Sequence, residues 1–349
     1  MISVGNRLRL LLPAVLLLLA LTGCKQQPVA PVKLTGEAQG TYYAITYFDS
    51  RQRDFSAEIS NLLARVDASV SVYADTSLIS RINRNETDSV DKIFFDNFTV
   101  ARQVSEASGG AFDCTIGRLI EAWGWGFSKR DSITPEKIAQ LKAHSGYQKV
   151  FVVNRQLLKE DDSITLNFNA IAQGYTSDLI AAFLRSKEIT SFLVDVGGEL
   201  VAEGEKPDGS PWTIGIELPD ESGSVPENLM ERPLQAILSV KGGKGVATSG
   251  NYRKFYVENG VKYSHTIDPA TGYPVRHSLL SATVVGPNAT LADAWATAFM
   301  VVGLEKAKSF LKDHPELQSY FIYADESGRG KTWMSEGLKG MIEEVSGSR

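Results

Sequence analysis

Asp293 and Thr297 lie four positions apart in Thr290-Leu291-Ala292-Asp293-Ala294-Trp295-Ala296-Thr297. On a helix that spacing turns a carboxylate and a hydroxyl to one side. Both are hard oxygen ligands, and with a backbone carbonyl they suit Mg²⁺, which keeps water and ligand phosphates in its shell. A plainer reading stands beside this one. Pro287 and Asn288 precede the run. Thr290 can be the N-cap, and Asp293, at the third helical position, then meets the helix dipole. His265 follows Ser264 and stands ahead of the turn Asp268-Pro269-Ala270-Thr271-Gly272. It is either a general base near neutral pH or a hydrogen-bonded histidine at a strand end. With Gly245-Val246-Ala247-Thr248-Ser249-Gly250-Asn251-Tyr252 upstream, residues 245–297 concentrate hydroxyls, turn formers and titratable groups as a ligand site does.

These residues need elements to hold them. Apolar positions at helical spacing follow Asp293 as far as Leu311. Thr41 to Phe48 is β-branched and aromatic, a strand that follows Gln39-Gly40. Phe55 to Val70, the capped Asp75–Asn83 stretch, Phe98 to Ser108 and Pro135 to Ala143 read as helices. Lys149–Val153, Ile164–Asn169, the apolar run in Phe192–Leu200 that ends at Gly197-Gly198, Trp212–Ile216, Ala236–Val240, Phe255–Val257 and Ser281–Val285 read as strands. Ile164–Asn169 runs into Ala170-Ile171-Ala172-Gln173-Gly174-Tyr175 and a helix to about Lys187. That junction sets backbone N–H groups at a helix N-terminus, where a phosphate is favoured. Trp123-Gly124-Trp125-Gly126-Phe127 either anchors a loop in the core or offers rings for stacking. Residues 219–233 form a polar loop. Helices and strands are interspersed without strict βαβ alternation, so the fold class is α+β.

The 349-residue chain has ordinary hydrophobic and charged content and a net charge of -5, so a broad basic field for nucleic acid is absent. Among the short motifs, GxGxxG, P-loop, HExxH and CxxC arrangements are missing, which removes support for Rossmann, Walker, zincin and thioredoxin-like readings. Arg7 and Arg9 precede an apolar run, Leu10 to Leu21, broken by Pro13 and closed by Leu21-Thr22-Gly23-Cys24. This looks like a bacterial lipobox: residues 1–23 are a signal peptide, and Cys24 carries the lipid. Residues 24–35 then form an anchor and tether, and 36–345 the folded domain. The second of two cysteines, Cys114, lies in Ala111-Phe112-Asp113-Cys114-Thr115-Ile116 and reads as a small buried hydrophobe.

Taken in order, Gln39-Gly40-Thr41, Ser71-Val72-Tyr73, Gly110-Ala111-Phe112-Asp113, Ala170-Ile171-Ala172-Gln173-Gly174-Tyr175 and Asp195-Val196-Gly197-Gly198 resemble the ApbE-type flavin transferases. Ala247-Thr248-Ser249-Gly250, His265-Thr266-Ile267-Asp268-Pro269-Ala270-Thr271-Gly272 and Ala292-Asp293-Ala294-Trp295-Ala296-Thr297 complete the set. It spans nearly the whole mature chain. The resemblance implies an α+β flavin transferase fold with FAD in a cleft between two subdomains. It implies an FAD:protein FMN transferase: the FMN half of FAD moves to a Thr or Ser hydroxyl of another protein, and AMP leaves.

It also implies roles. Asp293, Thr297 and the Ala170 carbonyl would hold Mg²⁺. His265 would be the base for the acceptor hydroxyl or position it. Gln39, Tyr73, Ala111, Phe112, Asp113, Asn167, Gln173 and Ile267 would contact FAD. Acceptors would be subunits of membrane redox complexes such as Na⁺-translocating NADH:quinone reductase and Rnf-type complexes. The lipid at Cys24 would hold the protein on the extracytoplasmic face of the cell membrane. The family often has Met where this chain has Gln39, Asp where it has Asn167, and Lys or Glu where it has Gln173. Two rivals differ in class: a lipid-anchored protein that binds or hydrolyses FAD without an acceptor, and a solute-binding lipoprotein.

Overall fold

The computed structural model describes residues 29–125, 133–219, 232–251, 255–258 and 261–345. Cys24, Phe127, Tyr252 and most of the 219–233 loop lie outside them.

The chain opens with β1 (Pro31–Ala38) and β2 (Thr41–Phe48), paired antiparallel. Gln39 and Gly40, with φ of 53° and 72°, make the two-residue turn. The first strand takes in Pro31 to Thr35, which were expected in the tether. Its polar side chains alternate with half-buried Val32 and Leu34, so half a sheet face is enough to order it. Helices α1 (Ser56–Val70), α2 (Leu78–Asn83), α3 (Lys92–Ala107), α4 (Gly117–Ala122) and α5 (Pro135–Ala143) follow. The third starts earlier than the Phe98 expected, because the Asp91 side chain caps it by accepting from Phe94 N. The fifth agrees with the sequence: Thr134 caps it and Pro135 occupies its first turn.

A hairpin comes next, β3 (Val150–Val153) with β4 (Gln156–Lys159). Ile164–Asn169 does not form the expected strand. Its alternation is real, since Ile164, Leu166 and Phe168 are buried, but only Thr165 makes an isolated bridge, to Ile116. Then come α6 (Ala172–Ser186), β5 (Phe192–Val196), β6 (Glu199–Glu203), β7 (Trp212–Glu217), β8 (Leu234–Val240) and β9 (Lys244–Gly250). The apolar strand from Phe192 ends at its two glycines as expected, and Gly197-Gly198 turns the chain back into β6.

The last part holds β10 (Phe255–Glu258), β11 (Val261–Ser264), β12 (Leu279–Gly286), α7 (Ala289–Val302), α8 (Leu304–Asp313), β13 (Gln318–Ala324), β14 (Gly330–Met334) and β15 (Ile342–Glu344). The helical spacing from Asp293 to Leu311 is split by Gly303, whose φ of 76° ends α7. The N-cap of α7 is Asn288, not Thr290: its side chain accepts from Leu291 N at 2.8 Å.

Eight strands form one sheet in the order β1-β2-β5-β6-β9-β12-β13-β14, every neighbouring pair antiparallel. An antiparallel sheet with helices packed on it is the expected α+β class. One core cluster joins α3, α7 and β12 through Phe94, Phe98, Trp295 and Phe299. A second joins α1 and α6 to β2 and β5. A third lies between the large sheet and the β15-β8-β7 sheet. The helices α6 and α7, which bear the candidate site, are thus buried between layers. Among the described residues no helix is long and apolar enough to cross a membrane.

Candidate functional site

The site is built where α6 and α7 cross at their N-terminal ends. Gly174, in the first turn of α6, donates its N–H to Asp293 Oδ2 at 3.1 Å. Only glycine fits there, since an added Cβ would lie 2.4 Å from the Ala289 carbonyl oxygen. Beneath, β9 runs so close to the start of α7 that a Cβ on Gly245 would meet the Asn288 carbonyl carbon at 2.0 Å. Asp293 is buried, and this amide is the hydrogen bond the structure gives its carboxylate. Burial pushes its pKa up to about 7; the Gly174 N–H opposes the rise and the neighbouring Asp178 charge adds to it. With Asn288 as the N-cap, Asp293 is not needed to cap α7. One turn on, Thr297 Oγ1 lies 3.4 Å from Ser249 Oγ of β9. The structure therefore brings Asp293, Thr297 and the Ala247–Gly250 strand to one place, as their clustering in sequence suggested.

Gln39, Gln173 and Ala170 gather around the same end of α6. Gln39 Nε2 donates to Thr176 Oγ1 at 2.7 Å, while its Oε1 is buried with no partner. Gln173 lies over the Gly197 turn, its Nε2 2.8 Å from where a Cβ on Gly197 would stand. Ala170 is half-buried just ahead of the first turn. The amides at this terminus are less open than the sequence suggested. Ala172 N–H goes to the Phe168 carbonyl at 2.8 Å, and Gly174 N–H to Asp293. A phosphate here would find few free donors.

The aromatic residues form a second group. Tyr73, Trp125, Asn167 and Thr165 line a cleft of about 200 Å³. Tyr73 is 56% exposed, and its hydroxyl accepts from Asn169 Nδ2 at 3.1 Å. Asn167 Oδ1 accepts from Asn169 N, which shapes the loop. The Trp125 ring stands edge-on to His265, with centroids 6.1 Å apart at 74°. Beyond it Trp125, Tyr256, Tyr263 and Trp123 form a continuous column of rings. Trp123 is also anchored, its Nε1 donating to the Gly272 carbonyl at 2.8 Å. Of the Trp-Gly-Trp stretch, Trp123 thus packs in the core as an anchor, and Trp125 lines the cleft. A larger hollow of about 560 Å³, around Asn85, Glu86, Asp88 and Lys159, contains none of the expected site residues.

The remaining candidates are placed differently. Ala111 and Phe112 are buried in the core. The Asp113 carboxylate accepts from Thr115 N at 2.8 Å, Thr115 Oγ1 at 2.6 Å and Tyr147 N at 3.0 Å. These contacts set the shape of the loop that carries the three residues. Ile267 is buried with Trp123 and Ile138 and bridges Pro274. Cys114 is buried and its thiol pKa is pushed up by burial, in keeping with a small hydrophobe.

A sequence profile of the ApbE family matches residues 39–321. This chain belongs to the ApbE family. Among its ApbE relatives is an FAD:protein FMN transferase of Klebsiella pneumoniae (strain 342), 33% identical over 333 residues, which cover 90% of this chain and 92% of that one. An Escherichia coli (strain K12) protein of the same name is 32% identical, with 92% and 93% covered. The flavin transferase ApbE from Vibrio cholerae superposes with a TM-score of 0.79 at 29% identity, covering 90% of this chain and all of that one. The apo flavinyl transferase ApbE of Pseudomonas stutzeri gives 0.80 at 30% identity, over 91% and 98%. The ApbE fold expected from the sequence is therefore the one observed.

Within this ApbE site, no three His, Cys, Asp or Glu side chains converge among the described residues. A cation here would be held by one carboxylate with hydroxyl and carbonyl oxygens, and the buried, sparsely bonded Asp293 fits that demand. The residue that sequence reasoning missed is Asp178 on α6. Its carboxylate accepts from Ala289 N at 3.0 Å, from Thr290 N at 2.8 Å and from the Thr290 hydroxyl.

Proposed function

We infer that this protein is an FAD:protein FMN transferase, moving the FMN half of FAD to a Thr or Ser hydroxyl of an acceptor flavoprotein and releasing AMP. The observation that carries this beyond family membership is the buried Asp293 carboxylate, one helical turn from Thr297 and bonded to the first-turn amide of Gly174.

The roles follow from placement. Tyr73, Trp125 and Asn167 take the flavin end of FAD, with the Trp125 ring as one wall. Asp293, Thr297 and the Ala170 carbonyl hold Mg²⁺. Bound there, the ion supplies positive charge against the pyrophosphate and the leaving AMP. His265, edge-on to Trp125, takes the proton of the acceptor hydroxyl. The freed oxygen bonds to the phosphorus on the FMN side. The P–O bond to the AMP half breaks, and its electron pair stays on AMP. Gln39 and Gln173 make their contacts through neutral amides. The acceptor is a subunit of an extracytoplasmic membrane redox complex of the Na⁺-translocating NADH:quinone reductase or Rnf type. A lipid on Cys24 keeps the enzyme at that surface.

The test mixes the protein with FAD, Mg²⁺ and an acceptor domain, denatures the products and follows flavin fluorescence on a gel. A fluorescent acceptor band that disappears with EDTA or Asp293→Ala supports the reading. Rapid release of FMN and AMP with no labelled acceptor would replace it with FAD hydrolysis.

A further inference from the structure

Two helices meet at the site, and each donates a first-turn amide to a carboxylate on the other. Gly174 of α6 donates to Asp293 of α7, and Ala289 of α7 donates to Asp178 of α6. In each helix the donor and the carboxylate are separated by one turn, Gly174 to Asp178 and Ala289 to Asp293. One such contact would let α7 pivot about it. Two contacts a turn apart fix both its height and its rotation.

The two carboxylates are not equivalent. Asp178 receives three donors: Ala289 N, Thr290 N and the Thr290 hydroxyl. Asp293 receives Gly174 N. Asp178 is thus satisfied inside the protein, whereas Asp293 keeps lone pairs for something else. Asn288 caps α7 from within by accepting from Leu291 N, and the Ala289 and Thr290 amides that this leaves over go to Asp178. That carboxylate comes from the neighbouring helix, so it ties the start of α7 to α6 and not to its own loop.

We propose that Asp178 is a positioning residue that sets the rotation of α7 so that Asp293 and Thr297 present their oxygens together to a divalent cation. This rests on the metal-dependent reading of the site given above. Asp178 does not touch the cation. It acts through Ala289 and Thr290 at the start of the helix that carries both ligands.

The test is a Mn²⁺ titration of the full-length protein without FAD, followed by the loss of the free-ion electron paramagnetic resonance signal, well below the melting temperature. Asp178→Asn puts an amide N–H against backbone donors and is expected to weaken Mn²⁺ binding by about 10- to 100-fold, as for other residues that orient metal ligands. Thr290→Val keeps both backbone contacts and removes only the hydroxyl one, so a smaller loss of roughly 3-fold is expected, below the 10- to 100-fold of losing the whole orienting group. Mn²⁺ affinity unchanged in Asp178→Asn, with only a lower melting temperature, would reduce Asp178 to a helix support and overturn the proposal. If Asp178→Asn does not fold, unchanged affinity in Thr290→Val overturns it equally. A wild-type protein that binds no Mn²⁺ would instead sink the metal reading itself.

Discussion

The backbone N–H of Gly174 meets the Asp293 carboxylate at 3.1 Å, at a point where α6 and α7 leave no room for a side chain. A Cβ added at Gly174 would lie 2.4 Å from the Ala289 oxygen, 2.8 Å from its carbonyl carbon and 2.9 Å from Asp293 Cβ. Two of those atoms are backbone and cannot rotate away. Gly174→Ala must therefore push the helices apart and stretch the bond to Asp293. Overpacking of this kind costs about 1–3 kcal/mol. Thermal unfolding should show a lower melting temperature, and flavin transfer should fall more than stability does, because the displaced group is Asp293. A variant with wild-type transfer and stability would mean the crossing is looser than it looks.

The carboxyl of Asp293 gives the metal-free protein a distinct pH dependence. Its folded pKa, raised by burial to about 7, lies above the ordinary aspartate value of 3.8. The folded state therefore binds more protons than the unfolded state between those values. Stability falls as pH rises through that window and levels off above it. At most about 4 kcal/mol is involved, from the size of the shift at 1.36 kcal/mol per unit. Asp293→Asn should flatten most of this slope in EDTA and be more stable than wild type at pH 8. Saturating Mg²⁺ should flatten it in wild type. Urea unfolding at pH 5, 6, 7 and 8 reads all three, and equal slopes in wild type and variant would contradict the assignment.

His265 is the candidate base, and its ring is held edge-on to Trp125 at 6.1 Å. Loss of a general base lowers turnover by roughly 10²–10⁴. His265→Ala should do so while FAD affinity, measured by equilibrium dialysis, changes little. If FAD affinity falls instead and turnover at saturation is preserved, His265 binds FAD and is not the base.

Much of the site was legible because its signals are local. Pro135 announced the start of α5, and Asp293 with Thr297 announced a shared helix face. Failures came where the deciding partner is distant. Asn288 and Thr290 are both acceptable N-caps by residue type, yet Asn288 takes the role while the Thr290 hydroxyl is claimed by Asp178, 112 positions away. Pro31–Thr35 is polar enough for a tether, but the partner register Pro31↔Phe48 makes it an edge strand. Ile164–Asn169 has the alternation of a strand and lacks a neighbour to pair with, so its polar groups go elsewhere: Asn167 N–H to the Cys114 carbonyl at 2.8 Å and Leu166 N–H to the Asn83 side chain. The bonds that the Asp113 carboxylate accepts from Thr115 and Tyr147, the latter 34 positions off, were equally invisible in the sequence.

Cys114 provides a test of the core that does not depend on the reaction. Cys114 belongs to the same buried apolar cluster as Phe112, Ile164, Leu166 and Phe168. Burial, with the Asp113 charge beside it, pushes its pKa well above the usual thiol range. The reactive species is the thiolate, so both access and ionisation oppose attack. In the folded protein a thiol reagent such as Ellman's reagent should label Cys114 at least about 100-fold more slowly than a free cysteine, because labelling requires local opening. Labelling should become fast in the same denaturant range where the fold is lost. The variant Cys114→Ser would bury a hydroxyl in place of a small hydrophobe and should cost about 1–3 kcal/mol, whereas Cys114→Ala should cost less. Both should keep flavin transfer in proportion to the folded fraction. Rapid labelling of the native protein, or loss of transfer in a stably folded Cys114→Ala, would show that the thiol has work at the site after all.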